Sequence, residues 1–190
     1  MGRFWFVRHA ESTANAEGWL AGHTDAPLTS KGRAQAHALR EVLAELQPRR
    51  CWASDLCRAT ETARIAWPSE VPPLERHPVL RERAAGDWEG IPRRQLRQRG
   101  AFARLLTWTG RPPGGESQRD LALRVLSGLD DLDDGNDTLC FVHGGLIRVV
   151  VGLLDGTPVD QIGGWKVPNT AVVPRDVPKG RWRALRESLS

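Results

Sequence analysis

Three short apolar runs punctuate the chain: RFWFV at 3–7, RCWAS at 50–54 and TLCFV at 138–142. Their length and their aromatic or β-branched content predict strands buried on both faces of a sheet. Elsewhere the apolar positions shift to a spacing of three and four. Thr29 to Leu46 predicts a helix capped by Thr29, with Ala34, Ala38, Leu39, Val42, Leu43 and Leu46 as its buried stripe and Pro48 as its stop. DLCRATETARIAW at 55–67 predicts a second helix, closed by Pro68. Ser117 caps a third, with Asp120 completing the capping box and Leu121, Val125, Leu129 and Leu132 facing inward. Gly144–Gly145 lead into an apolar helix ending near Leu154. His77 to Leu80 predicts a short strand, and Thr170–Val173 and Trp182–Leu185 predict the last strands. The Arg-rich residues 91–109 predict one or two helical pieces, and 110–117 a loop from its Gly and Pro content.

Strands that alternate with helices predict an α/β fold: a three-layer sandwich with a mostly parallel central sheet flanked by helices. Internal repeats and low-complexity linkers are absent, so one domain is expected over 1–190. The segment from about 84 to 116 has weak periodicity and is expected to leave the α/β core and cap the site.

With 190 residues, the chain is long enough for one sizeable core. The formal net charge is +4, carried almost wholly by Arg, with Lys31, Lys166 and Lys179 the exceptions. Arginine offers a rigid fork matched to phosphate and carboxylate, which favours an anionic ligand. Cys51, Cys57 and Cys140 form neither a disulfide framework nor a C-x-x-C metal pair. A signal-peptide layout is missing and no apolar run approaches the roughly 18 residues of a membrane span. A cytoplasmic protein without a membrane partner is expected. Aromatic residues do not interleave with the basic ones, so nucleic acid is not an expected partner either. The basic run 93–104 is read as a solvated helix face, with an electrostatic funnel for anions as the sharper alternative.

Ligands of parallel α/β sheets sit outside the carboxyl ends of the strands. Here the first strand ends in Arg8–His9, the second runs into Ser54–Asp55 with Arg58 close behind, and the third ends in His143–Gly144–Gly145. If these strands are neighbours, two histidines and two arginines converge on one rim. Paired guanidiniums suit the oxygens of a phosphoryl group. A neutral imidazole can attack phosphorus and split one difficult hydrolysis into two steps. A second imidazole can stabilise the charge that develops. An acid for the departing oxygen is then needed, and Glu82, Glu11, Asp55 and Glu89 are all candidates.

RHAESTAN at 8–15 resembles the R-H-G-E-[ST]-x-x-N signature of the histidine phosphatase, or phosphoglycerate-mutase-like, superfamily. TDAPLTSKGRAQA at 24–36, SDLCRATETA at 54–63, LRERAAGDWEG at 80–90, PPGGES at 112–117 and VHGG at 142–145 resemble further family segments in the same order. The resemblance implies the phosphoglycerate-mutase-like fold and a metal-independent phosphomonoesterase without a cofactor, acting on small phosphorylated metabolites. It implies that His9 becomes a phosphohistidine. Arg8, Arg58 and His143 would form the phosphate pocket, Asn15 would help hold the phosphoryl oxygens, and Gly144 and Gly145 would let backbone N–H groups approach. Glu82 falls at the family's acid–base position. A bell-shaped or acid-leaning rate profile is expected.

Hydrolysis is expected over phosphoglycerate mutation on four counts. The GDWEG form after Glu82 resembles the phosphatase branch, the chain is shorter than the mutases, it contains no Tyr, and Ala21 stands where mutases usually offer a hydroxyl. The closest likeness is to small bacterial enzymes of the α-ribazole phosphatase and broad-specificity type. A non-catalytic phosphate binder on this fold would usually lack the nucleophile or the acid, and both are present. Ala10 departs from the family's usual Gly. His23, His37 and His77 are read as surface or structural, Glu116 as a helix N-terminal carboxylate, and Trp88 and Trp108 as core.

Overall fold

The computed structural model describes residues 1–68 and 71–189. In chain order the regular elements are β1 (Gly2–Arg8), α1 (Thr13–Glu17), α2 (Ser30–Leu43), β2 (Arg50–Ala53), α3 (Cys57–Ala66), β3 (Leu74–Arg76), α4 (Arg93–Gln98), α5 (Gln118–Leu132), β4 (Thr138–Val142), α6 (Gly144–Leu154), β5 (Val172–Val177) and α7 (Arg181–Ser188). Short 3-10 turns cover Pro78–Leu80, Gly86–Trp88, Ala101–Leu106 and Ile162–Gly164.

The sheet has the order β3-β2-β4-β1-β5. The first four strands are mutually parallel and β5 runs antiparallel on the edge. Pro174 is tolerated in β5 because an edge strand needs no second ladder. Alternation along β1 sorts side chains into two layers. Phe4 and Phe6 join Leu121, Val125, Ile147 and Trp182 on one face, under α5, α6 and α7. Trp5 and Val7 join Leu39, Leu43 and Ala63 on the other, under α2 and α3. This is the predicted three-layer α/β fold.

Register places the site. Arg8 pairs with Val142, so the next residues, His9 and His143, leave the sheet side by side. Ala53 pairs with Phe141, which brings Ser54 and the start of α3 to the same edge. The His9 amide donates to the Val142 carbonyl at 2.9 Å and the Ser54 amide to Phe141 at 3.0 Å, so the ladder continues past the strand ends.

Three expectations need correction. Trp182–Leu185 is helical; Trp182 and Leu185 lie three apart, which puts both on the buried face of α7, and Trp182 meets Phe4 edge-on at 5.2 Å. The strand expected at His77–Leu80 lies earlier, at Leu74–Arg76, and Pro78 opens a 3-10 turn because its locked φ and missing N–H suit a turn start. In α2 the buried stripe is Gly32, Ala36, Leu39 and Leu43, whereas Ala34, Ala38 and Val42 face outward. Gly32 sets that rotation: a Cβ there would stand 2.0 Å from the Glu11 carbonyl oxygen, so the bare backbone packs on the loop after β1.

Candidate active site

His9, His143, Arg8 and Arg58 converge where the parallel strands end. The His9 and His143 rings meet with centroids 5.2 Å apart and planes at 60°. Arg58, the second residue of α3, is 1% exposed, and its two terminal nitrogens donate to the carbonyls of Gly22 (2.8 Å) and Thr24 (3.0 Å). Arg8 donates through Nη1 to the Val167 carbonyl. Its Nε, and both ring nitrogens of His143, are buried without a hydrogen-bond partner among the described residues. Buried polar groups are normally satisfied, so orphaned donors clustered at one spot describe a place prepared for an acceptor.

The orientation of His9 is fixed from behind. Its Nδ1 lies 2.7 Å from the Ala10 carbonyl oxygen, a bond in which Nδ1–H donates and Nε2 keeps its lone pair. Ala10 in turn donates its amide to Thr62 Oγ1, and that hydroxyl donates to the Arg58 carbonyl, which links the imidazole to the guanidinium helix. The Ala10 methyl is fully buried and packs with Leu28 and Ala36. Asn169 Nδ2 donates to the His9 carbonyl at 2.9 Å and to Asn15 Oδ1 at 3.1 Å. Burial, then the charges of Arg58 and Arg8, holds the His9 imidazole well below the ordinary histidine range, against the Ala10 bond. Burial, followed by Arg58, His9 and Arg8, does the same to His143. Both rings are therefore neutral near pH 7.

The four candidate carboxylates separate cleanly. Glu11 pairs with Lys31 at 2.8 Å, Asp55 holds Arg81 in a two-pronged bridge, and Glu89 accepts the amides of His23, Thr24 and Ala85. Glu82 alone among them lines the cavity beside His9. Its oxygens accept the amides of Arg83 and Gly145, each at 2.8 Å. A Cβ on Gly145 would stand 2.2 Å from Glu82 Oε1, and one on Gly144 would stand 3.1 Å from Arg8 Nε. The two glycines thus let a carboxylate and a guanidinium close on the start of α6, and the anion at the Gly145 amide here is Glu82. Burial alone would raise the Glu82 carboxyl; the two amides, with the charges of Arg148 and Arg83, outweigh it and hold the group below the ordinary range.

A cavity of about 190 Å³ covers these groups, with Arg8, His9, Asn15, Arg58 and Glu82 in its wall. His143 sits fully buried against His9, and Gly144 faces the neighbouring groove. Residues 4–189 match the family described as the histidine phosphatase superfamily, branch 1. The chain belongs to that superfamily. A 2,3-bisphosphoglycerate-dependent phosphoglycerate mutase of Gloeobacter violaceus is 34% identical over 82% of this chain and 77% of its own length. An adenosylcobalamin/alpha-ribazole phosphatase of Salmonella typhimurium is 33% identical over 87% of this chain and 85% of its own. Among solved structures, the mycobacterial glucosyl-3-phosphoglycerate phosphatase in complex with VO3 superposes with a TM-score of 0.82 and 29% identity, covering 92% of each chain.

In this histidine phosphatase several cavity residues escape a sequence reading. Arg83, Arg93 and Arg148 join Arg8 and Arg58 in the wall, so five guanidiniums surround one carboxylate. Arg93 opens the basic run 93–104 and faces the cavity rather than solvent. Phe102, Leu105 and Leu106 form the apolar wall, whereas Trp108 packs on the core. His23 Nε2 meets the Glu82 carbonyl at 2.8 Å, and Arg124, clamped by both oxygens of Glu116, donates to the carbonyls of Val79, Arg81 and Glu82. Those two contacts hold the Glu82 loop in place. The periodicity of α6 does mark Arg148, one turn after Gly144, as facing the strand ends; nothing comparable marks His23 or Asn169.

Proposed function

We propose that this chain is a metal-independent phosphomonoesterase that acts through a phosphohistidine at His9 on small phosphorylated metabolites. The observation that carries the reading is the pairing of a neutral His9, its Nε2 left free by the Ala10 bond, with the unpartnered donors of Arg8 and His143 beside it. A phosphoryl group supplies the missing acceptors. Arg8 and Arg58 draw charge from its oxygens, and Asn15, which lines the cavity and whose Oδ1 already accepts from Asn169, has its amide nitrogen left to donate to them.

In the first step Nε2 of His9 attacks phosphorus, the bond to the ester oxygen breaks, and Glu82 delivers a proton to that oxygen. In the second, water attacks phosphorus and gives a proton to Glu82, the P–N bond breaks, and His9 returns to its neutral form. Glu82 is ionised in the free protein, so its proton must arrive with substrate. A phosphomonoester with a second pKa of about 6 brings one when it binds as the monoanion. The carboxylate has room for it, because two backbone bonds occupy only half of its roughly four lone-pair positions. The positive charge a metal would otherwise provide comes from the guanidiniums. Hydrolysis rather than transfer to a second hydroxyl is supported by Ala21, which lines the cavity where a hydroxyl would sit in a mutase-like site. A reducing cytoplasmic setting agrees with three free cysteines, two of them buried.

The test is to trap the intermediate. With radiolabelled p-nitrophenyl phosphate and an alkaline quench, label is expected on the wild-type protein, to be lost in acid. His9→Ala is expected to carry none and to lose about 10⁴-fold or more in kcat. A chelator is expected to leave the wild-type rate unchanged. Label retained by His9→Ala, or turnover abolished by the chelator, would overturn the reading.

A further inference from the structure

Thr170 is the one non-glycine residue among those described with a left-handed backbone, at φ 60°. A β-branched side chain crowds its own backbone there, so the conformation is costly and needs surrounding structure to hold it. That structure is the end of the β1–β5 ladder. The Arg8 amide donates to the Ala171 carbonyl and the Thr170 amide to the Arg8 carbonyl, each at 3.0 Å. Past that pair the chain turns. The Ala171 amide closes back on the Pro168 carbonyl at 3.2 Å, a four-residue turn with φ > 0 at its third position, where glycine is the usual occupant. Thr170 Oγ1 donates to the Asn169 carbonyl at 2.7 Å, which stiffens the turn as glycine would not.

The turn delivers Asn169 across the end of β1. Two acceptors meet its side chain there, and an amide –NH2 carries two hydrogens. Nδ2 donates to the His9 carbonyl at 2.9 Å and to Asn15 Oδ1 at 3.1 Å. Each bond falls on a group that phosphoryl transfer uses. The His9 carbonyl belongs to the peptide whose N–H, on Ala10, donates to Thr62 Oγ1 at 3.0 Å, so that peptide plane is pinned at both edges. The next carbonyl, of Ala10, accepts from Nδ1 of the His9 ring. A rotation of the plane would therefore carry the imidazole with it. Asn15 Oδ1 also accepts the Ser12 amide at 3.2 Å, so its oxygen is taken twice and its nitrogen is the end left to the cavity.

We propose that Asn169 is a positioning residue of the phosphoryl-transfer site: its single –NH2 group fixes both the peptide that aims His9 and the end of Asn15 offered to the phosphoryl oxygens, and the strained turn at Thr170 puts it there. The inference rests on the phosphatase reading and adds to it a residue that acts through His9 and Asn15. Chemistry restricts which residue can stand at this position. An aspartate would oppose oxygen to both acceptors. The Asn15 amide would then reverse, bringing its nitrogen to the new carboxylate and its oxygen to the phosphoryl group. A serine could satisfy one acceptor only.

The experiment follows labelling of the protein by radiolabelled p-nitrophenyl phosphate in quenched flow, where the rate constant reads the transfer step and the amplitude counts competent sites. Asn169→Ala is expected to slow labelling about ten- to hundredfold at wild-type amplitude. Asn169→Asp, equal in size to the native side chain and at home in a turn, is expected to slow it further. Asn15→Ala combined with Asn169→Ala is expected to lose less than the product of the two single losses, by about threefold or more, because part of the second loss runs through the first. Thr170→Gly is expected to keep the rate within about threefold, with Tm level or higher, since glycine takes positive φ freely. Labelling at the wild-type rate in Asn169→Ala or Asn169→Asp overturns the proposal. So does a milder loss in Asn169→Asp than in Asn169→Ala, a reduced amplitude at an unchanged rate constant, which marks a purely structural residue, a strictly multiplicative double variant, or a fall in Tm for Thr170→Gly. Should Asn169→Ala not fold, Asn169→Asp decides. A wild type that is labelled, beside Asn169 variants that behave as it does, refutes the positioning role alone. A wild type that neither labels nor turns over p-nitrophenyl phosphate refutes the phosphatase reading and this inference with it.

Discussion

Floor and roof of the cavity differ in what holds their side chains. On the floor, His9 and His143 follow paired strands, Arg58 sits in the first turn of α3, and all three are nearly inaccessible to solvent. Each is tied to the backbone of another segment or to a neighbouring ring. The wall opposite, here called the roof, includes Ala85, Arg93, Phe102, Leu105 and Leu106, which come from or adjoin pieces no longer than six residues: two 3-10 turns and α4. Its Arg93 has no side-chain hydrogen bond or ion pair among the described residues, and its Leu106 is 48% exposed. Bond-making steps need atoms held to fractions of an ångström, which a register-locked sheet edge provides. Selection among leaving groups needs a wall that can differ between relatives without disturbing the sheet, and short irregular segments provide that. Relatives with different named reactions, aligned over most of this chain, fit that division.

The comparison breaks most visibly at Glu82, which the floor grips through Gly145 while its own loop leads into the roof. Glu82→Gln is expected to lower kcat for an alkyl phosphate by about 10²–10⁴-fold. The loss should be far smaller for p-nitrophenyl phosphate, whose leaving group departs without a proton. Equal losses on the two esters would remove Glu82 from the acid role and make it a structural tie.

A smaller effect is expected on the roof. Phe102→Ala should weaken kcat/KM for an aryl phosphate about three- to tenfold, mainly through KM, since about 1 kcal/mol of apolar burial is withdrawn from the bound ester. A change carried by kcat instead would mean that the roof shapes the chemical step and that the division of labour is wrong.

The gentlest probe is pH, in a buffer free of phosphate. His9 and His143 are held neutral in the fold, while the unfolded chain takes up protons on both below about pH 6.5. The unfolded state then binds more protons, so the stability present above that pH is lost as pH falls toward the folded values. Glu82 adds a loss of the same sign below about pH 4.3. Urea midpoints at pH 7.5, 6.5 and 5.5 should therefore decline in order. A midpoint that holds or rises would show that the floor accommodates charged imidazoles and is less enclosed than its geometry indicates.

Legibility followed the same line. Floor residues stand next to strands whose apolar content is unmistakable, so Arg8, His9, Arg58 and His143 are placed by their neighbours in sequence. Roof residues have no such anchor. A six-residue helix shows too little periodicity to reveal which of Arg93, Arg94 and Arg97 turns inward, and arginine is at home on any surface. Gly32 misled for a different reason: counting apolar residues assigns the stripe of α2 to alanines, but a missing Cβ can be the buried feature when a backbone packs against it.

By itself the chain determined the alternation of strands and helices, the capping of α2 and α5, and the clustering of reactive residues at strand ends, because these depend on spacing along one segment. Tertiary structure decided what depends on distance between segments: that Glu82 and not Glu11, Asp55 or Glu89 shares the cavity with His9, that Asn169 and His23 brace the site from far along the chain, and that Arg93, Arg148 and Lys166 come together in one groove with Glu82. A carboxylate or a guanidinium looks the same in sequence whether its partner is bound elsewhere or still to come; only packing shows which donors and acceptors are already taken.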